Sequence, residues 1–205
     1  MKRKLLAIMF LLVLMISVSA CEKAASENKD NIPDAEIRMQ EEYDRKAMKA
    51  KEKLKDVKKI SFNAIDLKGN DICSDIFKES KITMINVWAT SCKPCINEMP
   101  DIQELIDELK DKEVNIIGIV GDTIDSDFKE VKENIALAIK IVDAKNISYT
   151  NLINNEMIAK DIPVIAYPTT LIVDNTGNVI GEIIIGVKTK EEYKQIILDA
   201  ISNEK

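Results

Sequence analysis

Val87-Trp88-Ala89-Thr90-Ser91-Cys92-Lys93-Pro94-Cys95 stands where one pattern of apolar residues gives way to another. The run that feeds it, Ile82–Trp88, is mostly apolar with β-branched and aromatic members, and reads as a strand buried on both faces. From about Lys93 onward, Ile102, Leu105, Ile106 and Leu109 recur at helical spacing. Two thiols separated by two residues on a first helical turn can close a disulfide with little backbone movement. Cys92 falls at the helix N-terminus, where unpaired N–H groups and the macrodipole stabilise a thiolate. Pro94 is tolerated there, because a first-turn residue needs no N–H partner. The same pair also reads as half of a zinc site. Zinc usually takes four ligands, and only Cys73 and carboxylates remain to complete the set.

Outward from this point the pattern alternates. Ile60–Leu67 is rich in Ile and Phe and is followed by Lys68-Gly69-Asn70-Asp71, which predicts a short hairpin. Cys73 falls in its second strand and is expected to act as a small buried hydrophobe. Val114–Val120 predicts a second core strand, and Asp127–Val142 a helix whose inner side is Phe128, Val131, Ile135 and Leu137–Ala138. Thr169–Val173 and Val179–Ile185 flank Asp174-Asn175-Thr176-Gly177, a hairpin signal. Tyr193, Ile196, Ile197, Ala200 and Ile201 trace a terminal amphipathic helix. This order argues an α/β fold: a central mixed β-sheet flanked by helices, with an N-terminal β-hairpin extension.

The 205 residues suit one domain with accessories. The chain has no histidine, which removes every mechanism with a histidine base and every histidine-containing metal site. Lys2-Arg3-Lys4 and the uncharged run Leu5–Val18 have the layout of a secretory signal, too short for a spanning helix. Val18-Ser19-Ala20-Cys21 follows, and it resembles a bacterial lipobox. That resemblance implies a lipoprotein signal peptide over 1–20, cleavage before Cys21 and a lipid on Cys21. Residues 22–59 carry 11 basic and 10 acidic side chains, segregated into an acidic stretch to Asp44 and a basic one from Arg45. We read residues 21–59 as a polar tether, helical in part from Asp34, with a partner-binding helix over 34–59 as the other reading. Residues 60–205 form the folded domain and carry a net charge of −10, which argues against binding nucleic acid through its phosphates.

Three elements in order, Val87–Cys95, then Glu98-Met99-Pro100, then Tyr167-Pro168-Thr169-Thr170, make the chain from near Ile60 resemble a known family. It is similar to the TlpA/ResA-like branch of extracytoplasmic thiol–disulfide oxidoreductases in the thioredoxin superfamily. The resemblance implies a thioredoxin fold with Cys92 as the nucleophile and Cys95 as the resolving thiol of a Cys92–Cys95 redox disulfide. Pro168 matches the family's cis-proline, with Tyr167 and Thr169 beside it on the substrate-facing or structural side. Asn86 takes the position of a buried aspartate in cytoplasmic thioredoxins. Glu98 resembles the acidic residue of the TlpA/ResA branch, and is the best candidate to exchange a proton with Cys95. Trp88 is expected beside the disulfide or in the core. Two positions depart from the pattern: Ser91 replaces a common second tryptophan, and Lys93 replaces a small residue and adds charge beside the sulfur.

The implied activity is protein-disulfide reduction at the outer face of the cell membrane, by a lipid-anchored monomer with no cofactor and no metal. The implied partners are client proteins with disulfides, apocytochromes c among the candidates, and a membrane thiol relay as electron donor. The alternatives are a redox-inert or copper- or zinc-binding module and a peroxiredoxin-like peroxidase. The last wants a threonine three residues before its cysteine, where this chain has Ala89.

Overall fold

The computed structural model describes residues 34–203. The expected signal segment and Cys21 lie outside them. The chain divides into two compact units, 1–44 and 45–205. Of the first, the described residues are helical, the opening of α1 (Asp34–Leu54), whose Glu, Lys, Ala and Met content favours a helix.

The second unit is built on a five-stranded mixed sheet in the order β5-β4-β3-β6-β7. β3 (Ile82–Trp88) is its centre, buried at every position as expected of an apolar run with a neighbour on each side. β4 (Val114–Val120) and β5 (Asn151–Ile153) run parallel to it. β6 (Thr169–Asp174) is antiparallel to β3, and β7 (Val179–Ile185) is antiparallel to β6. The N-terminal hairpin is present as β1 (Asn63–Ile65) and β2 (Asp71–Cys73), a separate two-stranded sheet. α2 (Lys93–Leu109), α3 (Lys132–Ala144), α4 (Glu156–Asp161) and α5 (Lys190–Asn203) complete the unit. Alternation along β3 makes two cores. Met84 and Trp88 face Cys95, Met99 and Leu105 of α2 and Tyr193 and Ile197 of α5. Ile85 and Val87 face Phe62, Phe77, Ile158 and Leu54.

Both hairpins turn on the same five-residue pattern, Asp66-Leu67-Lys68-Gly69-Asn70 and Asp174-Asn175-Thr176-Gly177-Asn178. In each, the aspartate accepts the backbone N–H groups two and four residues on, plus the asparagine amide, at 2.8–2.9 Å. In each, the glycine supplies a positive φ, +87° and +85°.

Four expectations need correction. The folded unit starts before residue 60: Ala50 and Leu54 of α1 are fully buried, Leu54 against Ile60 and Phe62. Sparse apolar spacing hid them, since two side chains four residues apart suffice to seat one helical turn. The helix expected over Asp127–Val142 begins only at Lys132. Asp125 accepts the N–H groups of Asp127 and Lys129 and holds a turn in which Phe128 takes a φ of +62°. A short acidic side chain here outcompetes the helical ladder. Phe128 and Leu137 are consequently exposed, and Ala138 and Val142 form the buried side. Cys73 is exposed, not buried: pairing with Asn63 puts it on the outward register of the hairpin, whose inward pair is Ala64 and Ile72. Finally, β5 and α4 are elements beyond those that the sequence predicts.

Candidate active site

The site forms where β3 ends. The loop after Trp88 is pinned by Asp122, whose carboxylate accepts the backbone N–H of Thr90 at 2.9 and 3.0 Å and its hydroxyl at 2.7 Å. Asn134 of α3 in turn donates to the Asp122 carbonyl at 2.7 Å. Two residues on, Cys92 is the N-cap of α2, and its sulfur accepts the N–H of Cys95 at 3.3 Å. The two cysteines are joined as a disulfide, with Cα atoms 5.3 Å apart. Their surroundings differ. Cys92 is half-buried at the open end of the helix, whereas Cys95 is 0% exposed. Ser91, Lys93 and Pro94 are exposed around them. Trp88 is fully buried, with its indole N–H donating to Asn151 Oδ1 at 2.9 Å, so it supports the site from within and presents nothing to a substrate. That pair needs Gly118, because a Cβ there would collide with the Asn151 amide.

The Tyr167–Pro168 peptide is cis. Pro168 immediately precedes β6, whose first residue, Thr169, pairs with Val87, so the proline flanks the end of β3 that delivers the cysteines. Its carbonyl accepts from Gly186 N–H at 2.9 Å, and Thr169 Oγ1 donates to the Ala166 carbonyl at 2.8 Å. Pro168 and Thr169 are buried, and Tyr167 is half-buried, its ring over Gly121 where any Cβ would displace it.

Glu98 lies one turn after Cys95 and is 4% exposed. Asn86 Nδ2 donates to its Oε1 at 3.0 Å and the Tyr193 hydroxyl to its Oε2 at 3.3 Å. Asn86 Nδ2 also donates to Thr170 Oγ1 at 3.1 Å, and that hydroxyl lies 3.3 Å from Tyr193 Oη. Burial raises the Glu98 carboxyl to about 7, against the hydrogen bonds from Asn86, Tyr193 and the Lys188 backbone, which favour its charged form. A carboxyl poised there can take or give a proton near neutrality. Among the described residues, no three or more Cys, Asp and Glu side chains are grouped to hold a metal ion.

The structure thus gathers Cys92, Cys95, Lys93, Pro94, Glu98, Tyr167, Pro168 and Thr169 around the ends of β3, β6 and α2, and sets Trp88 beneath them. The sequence reading missed Asp122, Asn151 and the hydroxyl of Tyr193. Tyr193 was visible as a core position of a helix. Nothing in its spacing signals that its oxygen meets a carboxylate.

Comparison with known proteins agrees with this geometry. Residues 53–181 match the AhpC/TSA family. The chain is 34% identical over 137 residues to the thiol-disulfide oxidoreductase ResA of Bacillus thuringiensis subsp. konkukian (strain 97-27), covering 67% of this chain and 73% of the relative. It is 37% identical over 117 residues to the thioredoxin-like protein YneN of Bacillus subtilis (strain 168), covering 57% of this chain and 64% of that one. In fold it resembles a thiol:disulfide interchange protein of the thioredoxin family from Chlorobium tepidum TLS, with a TM-score of 0.59 and 22% identity over 71% of this chain and 96% of that one. StoA from Bacillus subtilis superposes with a TM-score of 0.54 and 19% identity over 68% of this chain and 97% of that one.

Proposed function

Because the chain belongs to the AhpC/TSA family, and is a thiol–disulfide oxidoreductase of the thioredoxin fold with a Cys92–Cys95 pair, we propose that it reduces client disulfides outside the cytoplasmic membrane, tethered by a lipid on Cys21. The observation that carries the reading is the asymmetry of the pair. A half-buried sulfur caps a helix, and a fully buried one lies a turn before a protonatable carboxyl.

The reaction divides along that asymmetry. In the reduced protein the Cys92 thiolate, favoured by the helix N-terminus, attacks one sulfur of a client disulfide. A Cys92–client bond forms, and the client's other sulfur leaves as a thiolate and takes up a proton. Cys95 then gives its proton to Glu98 and attacks Cys92 Sγ. The Cys92–Cys95 bond forms as the Cys92–client bond breaks, and the client's second sulfur leaves as a thiolate that takes up a proton from water while Glu98 returns its own to water. Two electrons have passed from the dithiol to the client, and a membrane thiol relay restores the dithiol. Pro168 faces the redox pair, the backbone edge beside it pairs with the client, and Lys93 adds positive charge at the nucleophile. The signal-like segment 1–18 and Val18-Ser19-Ala20-Cys21 support the extracytoplasmic, lipid-anchored placement.

A Cys95→Ala chain tests the assignment in the cell. It is expected to accumulate mixed disulfides with clients on Cys92, stable to non-reducing gels, while Cys92→Ala traps none and loses turnover. Trapping by Cys92→Ala instead reverses the two roles. A Cys21→Ala chain is expected to leave the membrane fraction or to persist as an uncleaved precursor. Normal processing and retention refute the anchor.

A further inference from the structure

Four buried side chains close a ring of hydrogen bonds behind Cys95. Asn86 donates to both Glu98 Oε1 and Thr170 Oγ1, Thr170 meets Tyr193 Oη, and Tyr193 meets Glu98 Oε2. The ring joins the central strand, the strand that begins beside the cis-proline, the redox helix and the C-terminal helix. Its proton arrangement is fixed by counting donors. An ionised Glu98 only accepts, so the single Tyr193 proton points at it. Tyr193 Oη is then free to accept, and the Thr170 proton points at Tyr193. Thr170 Oγ1 in turn accepts from Asn86. Every contact of the ring is satisfied when Glu98 carries its charge.

A proton on Glu98 Oε1 leaves the four contacts in place but weakens the Tyr193 bond, since a neutral carboxyl is the poorer acceptor, whereas a proton on Oε2, the oxygen that Tyr193 meets, breaks the order. The carboxyl then donates to Tyr193 Oη, and the Tyr193 proton must turn to Thr170. The Thr170 proton is left without its partner in the ring, a penalty in a site this dry. We propose that Tyr193, backed by Thr170, is a positioning residue that fixes Glu98 for proton exchange with Cys95 and favours its ionised form. The proposal rests on the role given to Glu98 above. The groups facing Glu98 are few. Asp101 on its own helix opposes its charge, Tyr149 from the segment before β5 approaches with a hydroxyl that has no hydrogen-bond partner, and the Lys188 backbone N–H adds to Tyr193 and Asn86. The Lys188 side chain is engaged elsewhere, with Glu192 at 2.9 Å.

Both hydroxyl contacts are 3.3 Å, long for O–H···O, so the effect is modest. Tyr193→Phe keeps the ring shape and removes the donor. It is expected to move the pH midpoint of the resolving step upward by roughly half to one pH unit, the size one weak bond to a carboxylate commands. Thr170→Val is expected to move it the same way by less. The resolving step is read by stopped flow in the reduced full chain, carrying Cys73→Ser throughout so that its exposed thiol releases no thionitrobenzoate, mixed with Ellman's reagent. The first thionitrobenzoate leaves when Cys92 attacks, and the second when Cys95 displaces it from Cys92. The pH profile of the second phase is compared in wild type, Tyr193→Phe, Thr170→Val, Glu98→Gln, and Glu98→Gln combined with Tyr193→Phe. The proposal holds if the Tyr193→Phe shift is upward and vanishes in the Glu98→Gln background. It is overturned if Tyr193→Phe leaves the midpoint in place, lowers it, or shifts it equally without Glu98. If Glu98→Gln alone leaves the second phase unchanged, the role of Glu98 itself fails and this proposal falls with it.

Discussion

Glu98 and Glu108 sit on one helix, ten residues apart, and their carboxyls are driven in opposite directions. Ten residues at 100° each set them about 80° apart around α2, which is enough to put one inside and one outside. Glu98 is buried, its neighbours are neutral donors, and desolvation raises it to about 7. Glu108 meets Lys194 at 2.6 Å and Lys190 at 2.9 Å, and those lysines hold it down at about 2. Three neutral hydrogen bonds do not offset burial, whereas two cations at the surface overrule everything else. Enclosure by neutral donors is therefore what keeps a carboxyl convertible near neutral pH. A lysine in place of Asn86 or Tyr193 would lock it as an anion.

Activity separates the two residues most sharply. Glu98→Gln removes the proton acceptor and keeps the shape, and is expected to slow the Cys95 step at neutral pH by about 10²-fold and at most about 10⁴-fold, the range of a positioned base. Glu108→Gln is expected to leave the rate unchanged. Reduction of a peptide disulfide by the two variants, followed across pH 5–9, checks both. Equal rates in the two would reduce Glu98 to a structural carboxyl.

Stability gives a smaller contrast of opposite sign. A carboxyl raised from its ordinary 4.5 to about 7 binds more protons folded than unfolded between those values, so its contribution falls as pH rises through that window. Above it the buried charge costs up to about 3 kcal/mol. Glu98→Gln is therefore expected to be more stable than wild type at pH 8, with the gap closing towards pH 5. Urea unfolding at the two pH values measures it. A gap that is constant across this range means that Glu98 does not titrate there.

How much of this could be read from the sequence depends on how local the cause is. β3, β4, β7 and the redox turn announce themselves because apolar runs, the D-x-x-G-N turns and the C-x-x-C pair carry their physics within a few residues. The cis Tyr167–Pro168 bond was an expectation of family likeness alone, and it is present. What stayed hidden depends on partners far along the chain. Leu54 is core only because Ile60 and Phe62 fold back on it. Phe128 is exposed only because Asp125 captures two N–H groups. The three residues of β5 are too few to show a period. Glu98 was visible as a candidate, but its poise near neutrality comes from Asn86 and Tyr193, 12 and 95 residues away.

The surface member of the pair supplies the smallest expected effect. Glu108 is held below its ordinary 4.5, so the stability it gains from Lys190 and Lys194 is present above that value and is lost as pH falls towards 2. The three side chains remain 22–42% exposed, so removing the Glu108 carboxylate leaves Lys190 paired with Glu104 at 2.9 Å and Lys194 in contact with solvent. Glu108→Gln is accordingly expected to lower the melting temperature slightly at pH 7 in dilute buffer. The difference should vanish in 1 M NaCl, where screening acts within about 3 Å, and again near pH 2, where wild type loses the charge as well. Thermal melts of the two proteins at low and high salt decide it. A difference that survives 1 M salt would mean that Glu108 acts through packing between α2 and α5, and that its contrast with Glu98 is not one of charge.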